Sequence, residues 1–183
     1  MLVPQLDTVR LRLRGHECSD FKASAAMWAD ETVVRHITGI PSSQTESWSR
    51  LLRYIGHWQA LKFGYWVVED RQTGLFLGEV GFADYKRDIE PSLEGTPEIG
   101  WVMTREASGR GLATEAVSAA VHWGDENLDC KVTTCIFDPD HRASIRVGEK
   151  NGYTKKVMAI IFSFFTYFRE INIPTHRYIF KLK

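Results

Sequence analysis

Apolar and basic residues alternate along Thr8-Val9-Arg10-Leu11-Arg12-Leu13-Arg14. A period of two predicts a half-buried strand, with the arginines on a solvated outer face. A helical stretch is expected over residues 19–29. Ser43-Gln44-Thr45-Glu46 has the spacing of a capping box, and the helix it opens carries Trp48, Leu51, Leu52, Ile55 and Trp58 on one face. Gly64 ends that pattern. Residues 65–69 and 76–82 predict the two strands of a hairpin around a turn at 70–74, and residues 84–97 predict a polar loop.

Residues 98–103 read as the next strand. After a glycine turn comes a regular helix with Ala113, Ala116, Val117, Ala120 and Val121 on a narrow face suited to a sheet. Glu115, Ser118, His122, Asp125 and Glu126 fall on its wet side. Residues 131–137 are rich in β-branched side chains and predict a strand. Asp138 or Asp140 is placed to cap a short helix ending at Asn151-Gly152, with the glycine left-handed. Strands near 157–168 and 177–182 complete the chain. This order predicts a mixed α/β sheet with a βαβ unit at its centre.

At 183 residues the chain is expected to form one domain spanning 1–183. Lys plus Arg equals Asp plus Glu, so the net charge is zero and broad nucleic-acid or anionic-membrane binding is not expected. The first residues lack a basic segment followed by an apolar run, so no signal peptide is expected. The apolar cluster at 159–168 is too short to span a bilayer. Cys18, Cys130 and Cys135 have no metal-site spacing, and neither do the six histidines, so no metal is expected. Buried or incidental thiols fit a reducing, cytoplasmic compartment.

The sharpest chemical signal is Ser108-Gly109-Arg110-Gly111-Leu112-Ala113-Thr114, a two-glycine turn between a strand and a helix. Glycines admit close backbone approach, and the amides at a helix start favour a phosphate. The Gly-Lys-Ser/Thr ending of a Walker A loop is missing, and so is the three-glycine dinucleotide pattern.

Residues 98–116, from Glu98-Ile99-Gly100-Trp101-Val102-Met103 through the glycine turn to Glu115-Ala116, resemble the core motif of GNAT N-acetyltransferases, within them the RimJ/RimL-like branch. A second block, from Asp138-Pro139-Asp140-His141 to Asn151-Gly152-Tyr153, resembles that branch's next motif at the expected distance, and residues 8–14 resemble its first strand. The resemblance covers nearly the whole chain. It implies a mostly antiparallel sheet with a splayed parallel strand pair, flanked by helices. It implies acetyl-CoA as cofactor, with pantetheine on the backbone of Val102 and Met103 and the pyrophosphate on the turn from Ser108 to Thr114. Thr104, Arg110, His141, Ser144 and Arg146 complete the implied cofactor set, and a backbone N–H near Val102 is expected to meet the thioester oxygen. Two positions depart from the family pattern: Ser108 stands where Gln or Arg is common, and His141 where Asn is usual.

Direct transfer to an amine calls for a proton acceptor and a proton donor. The resemblance points to Glu98 as base, with Glu79 in reserve, and to Ser144 as the group near the leaving sulfur, with Tyr153 or Tyr167 as substitutes. The expected reaction is acetyl transfer to a primary amine of a small molecule or a protein N-terminus. Asp84, Asp88, Glu90 and Glu94 in the polar loop could present negative charge to a cationic acceptor. A non-catalytic acyl-CoA-binding module is the alternative, and a nucleotide-binding protein is a third reading that lacks its motif. Trp48, Trp58, Trp66 and Trp101 are expected in the core or the crevice wall. A homodimer is expected if the aromatic C-terminal strands pair across chains.

Overall fold

A computed structural model describes residues 2–90, 92–159 and 164–171, and the side chains of 156–164 are outside that description. Among the described residues, eight strands form one sheet: β1 (Leu6–Asp7), β2 (Leu11–Gly15), β3 (Tyr65–Asp70), β4 (Phe76–Ala83), β5 (Glu98–Met103), β6 (Val132–Phe137), β7 (Thr154–Ala159) and β8 (Phe164–Glu170). Their order is β1-β2-β3-β4-β5-β6-β8-β7. The pair β5–β6 is parallel and the other pairs are antiparallel. Five helices flank the sheet: α1 (Phe21–Trp28), α2 (Glu31–Val34), α3 (Gln44–Leu61), α4 (Leu112–Asn127) and α5 (Arg142–Lys150).

Leu11 and Leu13 are fully buried, as the alternation predicts. Their arginine neighbours are not simply solvated. Arg14 donates to Asp20 (2.7 and 2.9 Å) and to Glu69 (2.8 Å), and Arg12 donates to Asp7 (3.2 Å). Ser43 and Glu46 form both halves of the capping box. The phase of α3 differs from the expected one. Ser47, Leu51, Tyr54 and Trp58 face the sheet, while Trp48, Leu52 and Ile55 are exposed. Leu51 and Trp58 of the expected face are buried, and the stack of Tyr54 on Tyr65, 4.3 Å between ring centres, turns the buried stripe toward Tyr54 and away from Leu52 and Ile55.

Helix α4 lays Ala116, Val117, Ala120 and Val121 against the sheet, and Ala113 turns toward a crevice instead. Asp125 is not on a wet face, because Arg169 of β8 holds both its oxygens. Helix α5 begins at His141 without a side-chain cap; Asp138 instead accepts from the Asp140 amide at 2.9 Å. Gly152 is left-handed, as expected. The apolar cluster at 159–168 overlaps a hairpin, β7 and β8, where one strand was expected. The strand predicted at 177–182 lies outside the described residues.

Strands β5 and β6 meet at Glu98 opposite Thr134, where the Thr134 amide donates to the Pro97 carbonyl at 3.0 Å. Among the described residues the ladder goes no further, so the two strands part toward Met103 and Phe137. This gap is the splay that the fold class requires, and it lies at the C-terminal ends of parallel strands, where open α/β sheets bind ligands.

Candidate functional site

The chain leaves β5 through Thr104 and a short 3-10 turn, Arg105–Ala107, and enters α4 through two left-handed glycines, Gly109 (φ +74°) and Gly111 (φ +75°). An L side chain at either φ is strained. A Cβ at Gly109 would meet nothing within 4 Å, and one at Gly111 only an Arg10 nitrogen at 3.8 Å, so the outer surface of the turn is open. The first bond of α4 runs from the Glu115 amide to the Gly111 carbonyl (3.2 Å). The amides of Leu112, Ala113 and Thr114 therefore have no helical partner and stand at the positive end of a 16-residue helix. Such a turn fits a phosphate.

The turn is braced from behind by residues the sequence placed in solvent. Glu115 accepts from Thr8 Oγ1 (2.7 Å), the Arg10 amide (2.9 Å) and Arg10 Nε (2.7 Å), and Arg10 Nη1 donates to the Arg110 carbonyl (3.0 Å). Burial works to raise the Glu115 pKa, but the hydrogen bonds from Thr8 and Arg10 outweigh it and hold the carboxyl below its ordinary value.

A crevice of about 580 Å³ runs from this turn along the gap to α5. Of the residues implied for the cofactor, Val102, Met103, Ser108, Gly109, Gly111, Leu112, Ala113, Thr114, His141, Ser144 and Arg146 line it. Thr104 and Arg110 do not. The Thr104 carbonyl takes bonds from the Ala107 amide and Ser108 Oγ, and Arg110 lies near enough to Asp70 to help lower its pKa, after the bonds from Thr73 and Gln72. The cations that do line the crevice are Arg105, Arg146 and Lys150; the sequence pattern did not single out Arg105 or Lys150.

Backbone alternation refines the pantetheine edge by one residue. Thr104 N–H donates to the Leu77 carbonyl (2.8 Å), and the register pairs Val102 with Glu79. In an antiparallel pair every second residue points its N–H and C=O at the partner, so Val102 is committed to β4. Trp101 and Met103 direct theirs into the gap, while the Val102 side chain lines both sides of the site.

Where α5 starts, His141 stacks on His36 (4.8 Å between ring centres), and its Nε2 lies 3.4 Å from Ser144 Oγ. His36 in turn meets Asp138 at 2.7 Å. Burial, then the neighbouring His36, lowers the His141 pKa against the pull of Asp138, so the ring is neutral near pH 7. His36 follows α2, whose Thr32 and Val33 roof the crevice. Tyr153 is remote from this point: its hydroxyl bonds Thr133 in the core at 2.8 Å. Tyr167 packs on Phe137 and lines neither cavity described here.

A second cavity, of about 690 Å³, lies on the other face of β5 and shares Ile37, Trp101 and Val102 with the crevice. Its wall holds Trp28, Tyr54, Tyr65 and Tyr85, with Arg50, Arg53 and Arg87 among them. Glu98 opens into it and is 8% exposed. Arg87 grips that carboxylate with Nε on one oxygen (2.6 Å) and Nη2 on the other (2.9 Å). Gly100 belongs to the same wall, and a Cβ there would strike the Tyr65 hydroxyl at 2.1 Å.

Glu79, the reserve base, is fully buried and reaches neither cavity. It accepts from Ser24 Oγ (2.6 Å) and Trp28 Nε1 (2.9 Å), and His16 Nε2 stands 3.5 Å away. Burial acts to raise its pKa, yet His16, Ser24 and Trp28 together bring it below the ordinary value. In the polar loop Asp84 is paired with Lys86 at 2.7 Å, while Asp88 lines the cavity beside Arg87, which is itself paired with Glu98.

Residues 10–154 match the family model described as the acetyltransferase (GNAT) domain. The chain is similar to the protein YkkB of Bacillus subtilis, at 30% identity over 84% of this chain and 88% of the relative. Among solved structures it is similar to an acetyltransferase from Agrobacterium tumefaciens, with TM-score 0.77, 26% identity and coverage of 92% and 95% of the two chains. Its fold also matches RimL, a ribosomal L7/L12 α-N-protein acetyltransferase solved in complex with coenzyme A, with TM-score 0.75, 16% identity and coverage of 93% and 100%. A splayed strand pair, an open phosphate turn at one end of the gap and a second cavity at the other agree with this match across most of the chain, which belongs to the GNAT acetyltransferases and transfers an acetyl group from acetyl-CoA to an amine.

Proposed function

We propose that the acceptor is a primary amine bound in the cavity beside Glu98, and that the residues lining the gap act on it in three roles. Acetyl-CoA supplies an acyl group activated as a thioester. The open turn from Gly109 to Thr114 takes the pyrophosphate, helped by Arg105, Arg146 and Lys150. The backbone of Trp101 and Met103 pairs with the pantetheine arm as an added strand does, and an N–H on this edge faces the thioester oxygen, where negative charge develops as the amine attacks.

Glu98 takes the proton of the amine, directly or through one water. Arg87 uses one lone pair on each of its oxygens, and a carboxylate offers about four, so sites for that proton remain. The new C–N bond forms as the C–S bond breaks. Ser144, with His141 behind it, hydrogen-bonds the departing sulfur and leads a proton to it. The observation that carries this reading is that the two cavities share Ile37, Trp101 and Val102 as a common wall, with a carboxylate in one and the glycine turn in the other.

A single domain suits one main apolar cluster that runs from Leu11 to Ile171. A cytoplasmic setting suits the free thiols of Cys18, Cys130 and Cys135. A dimer would form through the aromatic C-terminal strands pairing across chains, and light scattering tests it.

The first test is release of free thiol from acetyl-CoA against amino acids, polyamines, aminoglycosides and N-terminal peptides, with CoA binding measured by calorimetry. Turnover of one class fixes the acceptor. Tight CoA binding with slow acceptor-free hydrolysis and no amine turnover overturns the enzyme reading in favour of a binding module.

A further inference from the structure

Three guanidiniums face the acceptor cavity, and they differ in what they hold. Arg87 is committed to Glu98. Arg50 and Arg53, successive on one face of α3, have no ion-pair partner among the described residues. Glu46, one turn before Arg50, gives one oxygen, Oε2, to the amide and hydroxyl of Ser43; after those bonds the nearby Arg50 charge also helps to lower its pKa, but no ion pair forms between them. The remaining acid in the lining is Asp88, exposed on the polar loop.

Arg50 is held in place. Its guanidinium lies 3.7 Å from the centre of the Trp28 ring and donates through Nη2 to Ser42 Oγ (3.1 Å). Trp28 cannot drift, because its Nε1 is anchored on the buried Glu79. Yet Arg50 Nη1 is shielded from solvent and has no hydrogen-bond partner among the described residues. A buried charged donor left unmade is costly, and native structures rarely leave one without a use. Arg53 and Arg87 both lie over the Tyr85 ring, at 5.5 and 4.9 Å, so this aromatic surface links the unpaired arginine to the one on Glu98. One end of the cavity is thus cationic, with neither Arg50 nor Arg53 neutralised by an ion pair, and the other end presents the carboxylate of Glu98.

We propose that the acceptor is a small primary amine that also carries an oxyanion, bound by Arg50 and Arg53 while its amine faces Glu98. This inference rests on the placement of the acceptor in this cavity. The charge is opposite to the cationic acceptor that the acids of residues 84–94 suggest in sequence. A guanidinium presents paired donors that match a carboxylate or phosphonate, which explains arginine rather than lysine at both positions. About 690 Å³ suits a small molecule.

The test compares an α-amino acid, its carboxamide, the decarboxylated amine and the aminophosphonate analogue as acceptors for the full chain, with spermidine and an acidic peptide alongside. Thiol release should give a kcat/KM about 10- to 100-fold higher for the carboxylate than for its carboxamide, the range expected for one charged hydrogen-bonded contact. The aminophosphonate shows whether shape or charge alone is read. Arg53→Gln should reduce turnover of the carboxylate about 10-fold more than that of the carboxamide, through KM, with the KM for acetyl-CoA within two-fold of the parent. Arg50→Lys retains charge and guards against misfolding in Arg50→Gln; it should recover part of the lost affinity.

Equal turnover of acid and amide, a preference for spermidine, or turnover confined to the peptide overturns the proposal. If no amine releases thiol, calorimetry on the CoA-loaded protein decides. Tighter binding of the N-acetyl amino acid than of its amide, lost in Arg53→Gln, upholds the anion site while the transfer reading falls. Equal binding overturns the anion site as well.

Discussion

The two cavities that meet at Val102 are built in opposite ways. The crevice proposed for the cofactor takes its glycine turn from consecutive residues, and its conformation is dictated locally by two left-handed glycines and a helix start. The cavity proposed for the acceptor gathers Trp28, Arg50, Tyr65, Tyr85 and Glu98 from separate elements, and each is fixed by partners further along the chain. A locally encoded site tolerates change elsewhere in the chain. One assembled from many elements depends on every packing decision beneath it.

The largest effect expected from this contrast is in the foundation of the acceptor cavity. Glu79→Ala removes the common acceptor of Ser24 and Trp28, and deleting one partner of a buried charged network costs about 3–5 kcal/mol. Calorimetric melting should fall by roughly 10 °C at 2–4 °C per kcal/mol for a chain of this size. Below the transition the acceptor KM should rise while CoA affinity holds; an unchanged acceptor KM would remove Trp28 from the site.

Gly109→Val probes the local site. A β-branched residue at φ +74° is strained by about 2 kcal/mol or more, and its side chain enters the open surface of the turn. CoA affinity should drop about 30-fold with the fold and the acceptor cavity intact. Affinity within three-fold of the parent would show that the phosphate turn is not where the cofactor rests.

Glu98→Gln should reduce kcat by about 100-fold or more, in the range attributed to a positioned base, without weakening CoA. Loss of CoA binding instead would mean that Glu98 serves the strand pair β5–β6 rather than the proton.

The smallest effect concerns the brace behind the turn. The folded pKa of Glu115 is lowered, so its stabilising contribution is present above the ordinary value of 4.5 and lost as pH falls through the folded pKa. Glu115→Gln should cost about 1 kcal/mol at pH 7, measured by urea unfolding, with the gap to the parent closing below pH 4. A gap independent of pH would trace the effect to packing rather than charge.

Several features were legible because their cause is local. The alternation of residues 8–14, the capping box of Ser43 and Glu46, the hairpin turn at Asp70 and the glycines before α4 each depend on neighbours within a few positions. Of the apolar face expected on α3, Leu51 and Trp58 are buried but Trp48, Leu52 and Ile55 are not, because the stack of Tyr54 on Tyr65, eleven positions away, sets which side meets the sheet. Arg10 and Glu115 were placed in solvent because nothing in the chain between them signals that they touch.

By itself, then, the sequence determined most of the element order from β2 to α5, the glycine turn before α4 and the membership that its motifs carry, since backbone conformation and hydrophobic period act over one or two turns of chain. The tertiary structure alone decided which arginines are paired, which carboxylate is buried beneath the cavity and which backbone edge of β5 faces the gap. Charges and hydrogen-bond donors acquire their roles from partners brought near by folding, and the separation along the chain holds no record of that distance.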